Sequence, residues 1–259
     1  MLLGENAVKF TILRFDSLPS TNTEAIRQAQ AGAAEGICVL AREQTAGRGR
    51  RERAWHSPAG AGIYFSLILR PRFSVAKWSL ITLMAAVAVA DALLETCALQ
   101  SDIKWANDVH TRAGKKIAGI LAETVDTTRN DAVILGIGIN LTKQAVAPHL
   151  TEIATSVETE TNVLPDAEIV LTAVTKFLQK YYQILGDVNG DQKIVAAWMQ
   201  RSSYAMGKRV RVALENESFE GVTCGLETTG ALRVQTENGI IKTIYAGDVI
   251  ALRSEDKDL

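Results

Sequence analysis

The period of apolar and polar positions changes several times along the chain, and each change predicts an element. Residues 10–15 are β-rich and predict a first strand. Thr21-Asn22-Thr23-Glu24 has the form of a capping box. It predicts a helix that starts there and runs to about Ala31, where Gly32 stops it. Residues 37–42 form a second β-rich run, and residues 62–69 a third, closed by Pro71. The alanine- and leucine-rich residues 75–97 predict one long helix. A short strand is predicted over residues 101–104. A hairpin over residues 109–111 and 116–123 turns at Arg112-Ala113-Gly114. Residues 132–139 make a strongly apolar strand. Residues 145–165 hold two prolines and little periodicity, and read as loop with at most short structure. Asp166 is a good N-cap for a helix over residues 166–185, and a further helix is predicted over residues 192–201.

The texture changes after Gly207. Five short β-rich runs follow at residues 208–213, 218–224, 231–235, 240–245 and 249–252, with turn residues between them. Runs this short and this closely spaced suggest a small barrel. The 259 residues are enough for one large domain and one small one, divided as residues 1–205 and 206–259.

Composition narrows the class. Hydrophobic residues make up 47% and charged ones 22%, so a sizeable core forms and disorder is excluded. The net charge of -1 argues against a general nucleic-acid binder, which is normally basic. Cys38, Cys97 and Cys224 lack metal-ligand spacing and read as reduced, buried thiols of a cytoplasmic protein. The N-terminus lacks a basic-then-apolar leader pattern. The longest uncharged apolar run, residues 80–90, is too short to span a bilayer and ends at Asp91, so it predicts a buried helix and no membrane partner.

Against that neutral background one segment stands out: Gly47-Arg48-Gly49-Arg50-Arg51-Glu52-Arg53-Ala54-Trp55, with four arginines and two glycines. Glycine lets backbone N–H groups approach a ligand. Arginine offers a forked, permanently charged donor for carboxylate or phosphate. Trp55 adds a flat ring. The segment describes a loop that holds an anion with a planar group attached. Four further motifs accompany it in order: Ser20-Thr21-Asn22, Lys104-Trp105-Ala106-Asn107-Asp108, Lys116-Ile117-Ala118-Gly119-Ile120-Leu121-Ala122-Glu123, and Gly136-Ile137-Gly138-Ile139-Asn140.

Together these five segments resemble the biotin protein ligases, a resemblance that covers nearly the whole chain. The resemblance implies an α+β fold: a mixed-sheet catalytic domain of the biotin/lipoate ligase type followed by an SH3-like small β-barrel. It implies that biotin and ATP form biotinyl-5′-adenylate and pyrophosphate, and that a lysine of an acceptor then displaces AMP. The implied acceptor is a biotin carboxyl carrier protein or domain of a carboxylase. A homodimer is compatible with it, and nucleic acid is not an expected partner. Magnesium is expected with ATP, without assignable ligands. Ser-Thr-Asn begins at residue 20, which leaves no room for an N-terminal DNA-binding domain and implies the monofunctional form.

The same resemblance assigns roles. Ser20, Thr21 and Gln44 match the polar contacts around the biotin ureido ring, and Asn22 completes their motif as a helix-start residue. Gly47, Arg48, Gly49 and Arg50 match the loop on the biotin carboxylate and α-phosphate. Lys116 matches the lysine at that junction, with Gly119 giving close approach. Arg53, Trp55, Lys104 and Asn107 fall on the nucleotide side, Trp55 against the purine, and Asn140 matches the residue that reads adenine. Lys116, Arg50 and Asp108 are the catalytic candidates, Asp108 orienting the incoming amine or helping to deprotonate it. Glu123 reads as structural pairing. Ala106 stands where the motif carries proline, which loosens the backbone around Asn107. None of the three histidines sits in a triad or metal pattern. The empty Gly–Arg loop is expected to repel itself and, with residues 145–148, to order on ligand binding. Lipoate–protein ligation is the neighbouring alternative. A nucleic-acid module built on residues 48–53 and a noncatalytic biotin binder are the others.

Overall fold

Strand alternation and one long apolar helix organise the molecule. In the computed structural model, residues 8–127 and 131–252 are described; the ends of both expected domains, residues 1–7 and 253–259, lie outside them. The first sheet contains β1 (Thr11–Leu18), β2 (Ile37–Gln44), β3 (Gly62–Leu69), β4 (Ser101–Lys104), β5 (Asp108–Thr111), β6 (Lys116–Val125) and β7 (Ala132–Asn140). Its spatial order is β1-β2-β3-β7-β6-β5-β4. Only β1 and β2 are parallel; every other pair is antiparallel, so the sheet is mixed.

The two faces of this sheet bury different helices. Phe65, Leu67, Leu135, Ile137, Ile139 and Ile120 point to one side, into the main core with α2 (Leu80–Cys97). Val39, Ile68 and Ile134 point to the other, where Ala25 and Ala29 of α1 (Thr21–Gln30) cover them. A strand period of two forces this split. Beyond β7 come the short α3 (Val157–Thr161), then α4 (Ala167–Gly186) and α5 (Gly190–Met199), which pack on α2. The second sheet follows: β8 (Met206–Ala213), β9 (Ser218–Leu226), β10 (Leu232–Thr236), β11 (Ile241–Ile244) and β12 (Asp248–Ala251), in the order β11-β10-β9-β8-β12, all antiparallel.

Three expectations shift. The first helix is capped by Ser20, whose Oγ accepts from Thr23 N at 3.5 Å, one residue before the expected box. Residues 75–97 are not one helix: Val75–Lys77 form a separate 3-10 turn capped by Ser74, and α2 begins only at Leu80. The uncharged run reads as too short to span a bilayer. The helix that holds it, ending at Cys97 as expected, has the length and mean hydropathy (1.8) of a membrane span, yet 67% of that window is buried inside this fold. Asp91 is tolerated there because Arg201 Nε donates to it at 2.6 Å and Tyr181 Oη at 2.6 Å. Buried charge persists where it is paired and hydrogen-bonded.

Candidate active site

The α1 side of the sheet opens into a cleft of about 480 Å³. Its floor follows from the alternation in Gly136-Ile137-Gly138-Ile139-Asn140. The isoleucines go to the core, so the two glycines and Asn140 face the cleft. Neither glycine could carry a side chain. A Cβ on Gly136 would collide with Asn22 Oδ1. One on Gly138 would lie 2.5 Å from the Trp55 Nε1 atom, and one on Gly119 of β6 would lie 3.1 Å from both Trp55 Cζ3 and Lys116 Nζ. Trp55 therefore lies on a glycine surface, with Lys116 Nζ 5.2 Å from its ring centre, a cation–π distance. Its indole nitrogen is buried without a hydrogen-bond partner among the described residues.

One end of the cleft is a chain of hydrogen bonds. Thr21 N donates to Gln44 Oε1 at 2.8 Å, and Gln44 Nε2 donates to Ser57 Oγ at 2.8 Å. Ser66 Oγ donates to Asn22 Oδ1 at 2.5 Å, while Asn22 Nδ2 donates to Glu123 Oε2 at 2.6 Å. Ser20, Thr21, Asn22 and Ser66 are all buried. Each amide is thus orientated by two partners, which fixes the donors and acceptors that face the cleft. Ser66 is a member that no motif pointed to; its signal is a serine within the apolar β3.

The Gly–Arg loop forms the rim. Arg48 pairs with Glu123 at 3.0 Å, and Arg50 Nη1 donates to Asn107 Oδ1 at 2.9 Å. Arg51 and Arg53 both reach Asp248 of β12, at 3.0 and 2.7 Å. The loop is therefore not four unmatched charges, as expected from sequence. Glu123 and Asp248, far away in the chain, pair with three of the four arginines. Arg51 and Glu52 take φ of 53° and 58°, left-handed conformations that side chains rarely adopt. Arg48, Gly49, Arg50, Arg53 and Trp55 line the cleft, whereas Gly47 does not. Gly47 packs instead against the Trp55 carbonyl, Ser57 and Gln44, where a Cβ would collide.

At the other end, charges gather around Asp108. Lys116 Nζ lies 2.7 Å from Asp108 Oδ1, and His110 Nε2 lies 3.8 Å from Asp108 Oδ2. Burial raises the Asp108 carboxyl, but His110 and Lys116 outweigh it and hold it down at about 2. Burial pushes the Lys104 ammonium below its usual range; Asp108 opposes this, and Lys116 adds to it. Asn107 is held despite the alanine before it: its Nδ2 donates to the Ile120 carbonyl at 2.8 Å. The Trp105–Ala106 peptide is cis. Asn140 Nδ2 donates to the Thr155 carbonyl at 3.0 Å, which leaves its second N–H and its oxygen uncommitted by that bond. Ala145, Val146, Leu150 and Ile153 add an apolar wall. Among the wall residues that escaped the sequence reading are His110 and Asp248. His110 carried one signal, its place two residues after Asp108 on a strand. Asp248 carried none, because it lies in the second sheet.

The cleft thus brings together cations, orientated amides and a flat ring. Known proteins resemble the chain. Residues 14–140 match the biotin/lipoate A/B protein ligase family, and residues 205–251 match the biotin protein ligase C-terminal domain. The bifunctional ligase/repressor BirA of Bacillus subtilis is 38% identical over 243 residues, covering 92% of this chain and 73% of that protein. The biotin–[acetyl-CoA-carboxylase] ligase of Paracoccus denitrificans is 37% identical over 222 residues, 82% of this chain and 89% of its own length. The biotin protein ligase of Aquifex aeolicus, solved with biotin and ATP, superposes with a TM-score of 0.81 at 28% identity, covering 94% of this chain and 99% of that one. The chain belongs to the biotin/lipoate A/B protein ligase family and carries the C-terminal domain of the biotin protein ligases.

Proposed function

We propose that the chain is an ATP-dependent biotin–protein ligase. It condenses biotin with ATP to biotinyl-5′-adenylate and pyrophosphate, then passes the biotinyl group to a lysine of a biotin carboxyl carrier domain. The observation that carries this reading is the meeting of Lys116, Lys104 and Arg50 near Asp108, beside the glycine floor under Trp55. A carboxylate attacking an α-phosphate brings two negative groups together. Preorganised cations in a partly desolvated cleft lower that barrier, since charge stabilisation of this kind is often the largest single contribution to catalysis. Lys116 and Arg50 hold the reacting carboxylate and phosphate. Ser20, Thr21, Asn22 and Gln44 bind the biotin end with Arg48, Gly49 and Gly119, and Gly47 shapes the loop. Lys104, Arg53, Trp55, Asn107 and Asn140 take the nucleotide. Asp108, paired and held at about 2, is a weak base and acts by orientating the acceptor amine.

Magnesium enters with ATP. The cleft carboxylates Asp108 and Asp248 are both committed to cations, so they make no resident metal site. The catalytic unit is taken as residues 1–205 and the C-terminal unit as residues 206–259. Three free cysteines fit a cytoplasmic setting. Biotin is favoured over lipoate because the relatives named above are biotin ligases.

The test is exchange of labelled pyrophosphate into ATP with biotin, with lipoate, and with neither. Exchange only with biotin is expected. Exchange with lipoate alone, or none, overturns the reading. Lys116→Ala should lower the biotin-dependent rate about 100-fold or more. Wild-type exchange in that variant would remove Lys116 from the site.

A further inference from the structure

His110 belongs to no motif above, yet it lines the cleft beside the reacting groups. The imidazole is buried at 7% exposure. Its Nδ1 lies 2.9 Å from the Gly114 carbonyl, and a carbonyl only accepts, so Nδ1 carries the hydrogen. In the neutral ring the lone pair is then on Nε2. That atom is buried, has no hydrogen-bond partner among the described residues, and lies 3.8 Å from Asp108 Oδ2. The hairpin turn thus sets the tautomer and aims an unused base at the carboxylate that meets the acceptor amine.

We infer that His110 is the base that takes a proton from the acceptor lysine in the transfer half-reaction, an inference that rests on the ligase reading above. The lysine enters as an ammonium and must lose one proton before it can attack. His110 Nε2 takes that proton. The amine then attacks the carbonyl carbon of the mixed anhydride. The new C–N bond forms, the C–O bond to phosphate breaks, and AMP leaves with the electron pair. The amide nitrogen gives its second proton to water. Asp108 is poorly suited to the first proton, because its carboxylate is already paired with Lys116 Nζ at 2.7 Å. It draws the ammonium in, and the imidazole beside it does the proton transfer. Histidine is the side chain that exchanges protons between pH 5 and 8.

The charges around the imidazole are accounted for strand by strand. Asp108 shares its strand. Asp102 pairs with it in register on β4, which also carries Lys104. Lys116 pairs with it on β6, and Lys115 precedes that strand with its Nζ on the Thr151 carbonyl. Tyr204 lies beyond, close enough to feel Asp102 and Asp108. The cationic neighbours Lys104 and Lys116 also discourage a second ammonium, which eases loss of the first proton.

The experiment measures single-turnover transfer from enzyme-bound biotinyl-adenylate to a saturating biotin carboxyl carrier domain, from pH 5.5 to 9.5. His110→Asn keeps an N–H for the Gly114 carbonyl but lacks the base. With His110 as base, wild-type transfer rises with pH and then levels off. The variant should be about 10- to 100-fold slower at pH 7. Its rate should climb steadily toward the pKa of lysine, so the gap narrows at high pH. Transfer should also fall at least tenfold further than biotin-dependent pyrophosphate exchange. Equal losses in both half-reactions, or the same levelling in variant and wild type, would overturn the role of His110. A wild-type profile that never levels overturns it without any variant, should the variant not fold. A wild type that neither exchanges pyrophosphate nor transfers biotin overturns the ligase reading itself, which separates the two failures.

Discussion

Asp248 accepts from Arg53 Nη2 at 2.7 Å across 195 residues of sequence, and from Arg51 at 3.0 Å through the same oxygen. One carboxylate of the C-terminal sheet thereby holds two arginines of the active-site loop. The loop is thus tied to the second sheet by these two ion pairs.

Asp248→Asn should therefore loosen the loop without unfolding the protein. The arginine side chains are 46% and 70% exposed, so the pairs contribute less than about 1 kcal/mol to stability. Amide exchange over residues 47–55 should accelerate in the ligand-free variant, with little change in melting temperature. Unaltered exchange there would mean that the loop is held by its own backbone bonds, such as Gly49 N to the Arg53 carbonyl at 2.7 Å.

Gly138→Ala tests the glycine floor. The added methyl would sit 2.5–2.9 Å from three atoms of the Trp55 indole, so the ring must move. Overpacking of this kind costs about 1–3 kcal/mol. ATP affinity measured by calorimetry should fall about tenfold or more while the circular dichroism spectrum stays native. Unchanged affinity would show that Trp55 has room to shift and that its place on Gly138 is incidental.

Arg50→Gly tests retention of the intermediate. Arg50 bridges the loop to Asn107 at 2.9 Å and approaches the Gly247 carbonyl at 3.5 Å. Loss of one charge-assisted contact costs about 1.5–3 kcal/mol, or about ten- to a hundredfold in retention. Released adenylate acylates nearby lysines, so the variant should label added albumin with biotin when wild type does not. Equal albumin labelling, with adenylate formation verified, would remove Arg50 from that role.

Acid stability tests the Asp108 cluster. Its carboxyl is held at about 2 against an ordinary 3.8. A depressed carboxyl stabilises the fold above its unfolded pKa, and that contribution disappears as pH falls from about 4 through about 2. The full contribution is on the order of 2 kcal/mol. Urea unfolding at pH 6 and pH 3 should show wild type losing about 1 kcal/mol more than Asp108→Asn over that interval. Equal losses would mean that Lys116 and His110 do not hold the carboxylate charged.

Much of this site was legible in the chain because its motifs are periodic. Gly136-Ile137-Gly138-Ile139-Asn140 declares a strand with one apolar and one bare face, and the period of two follows from the pleat alone. The family, the mixed sheet and the small β domain were likewise readable from ordered motifs and turn spacing. Local rules were less exact at element ends. Ser20 rather than Thr21 caps α1, since both are good caps and the choice depends on how β1 delivers the chain. Tertiary structure alone decided which side chains meet. Nothing in residues 47–55 indicates that three of their arginines pair with Glu123 and Asp248, because pairing depends on strands brought together from distant sequence. Nor does the chain say that Gly114 fixes the tautomer of His110 and turns its free nitrogen toward Asp108. A hydrogen bond is settled by distance and direction within a few tenths of an ångström, and only the folded backbone sets those.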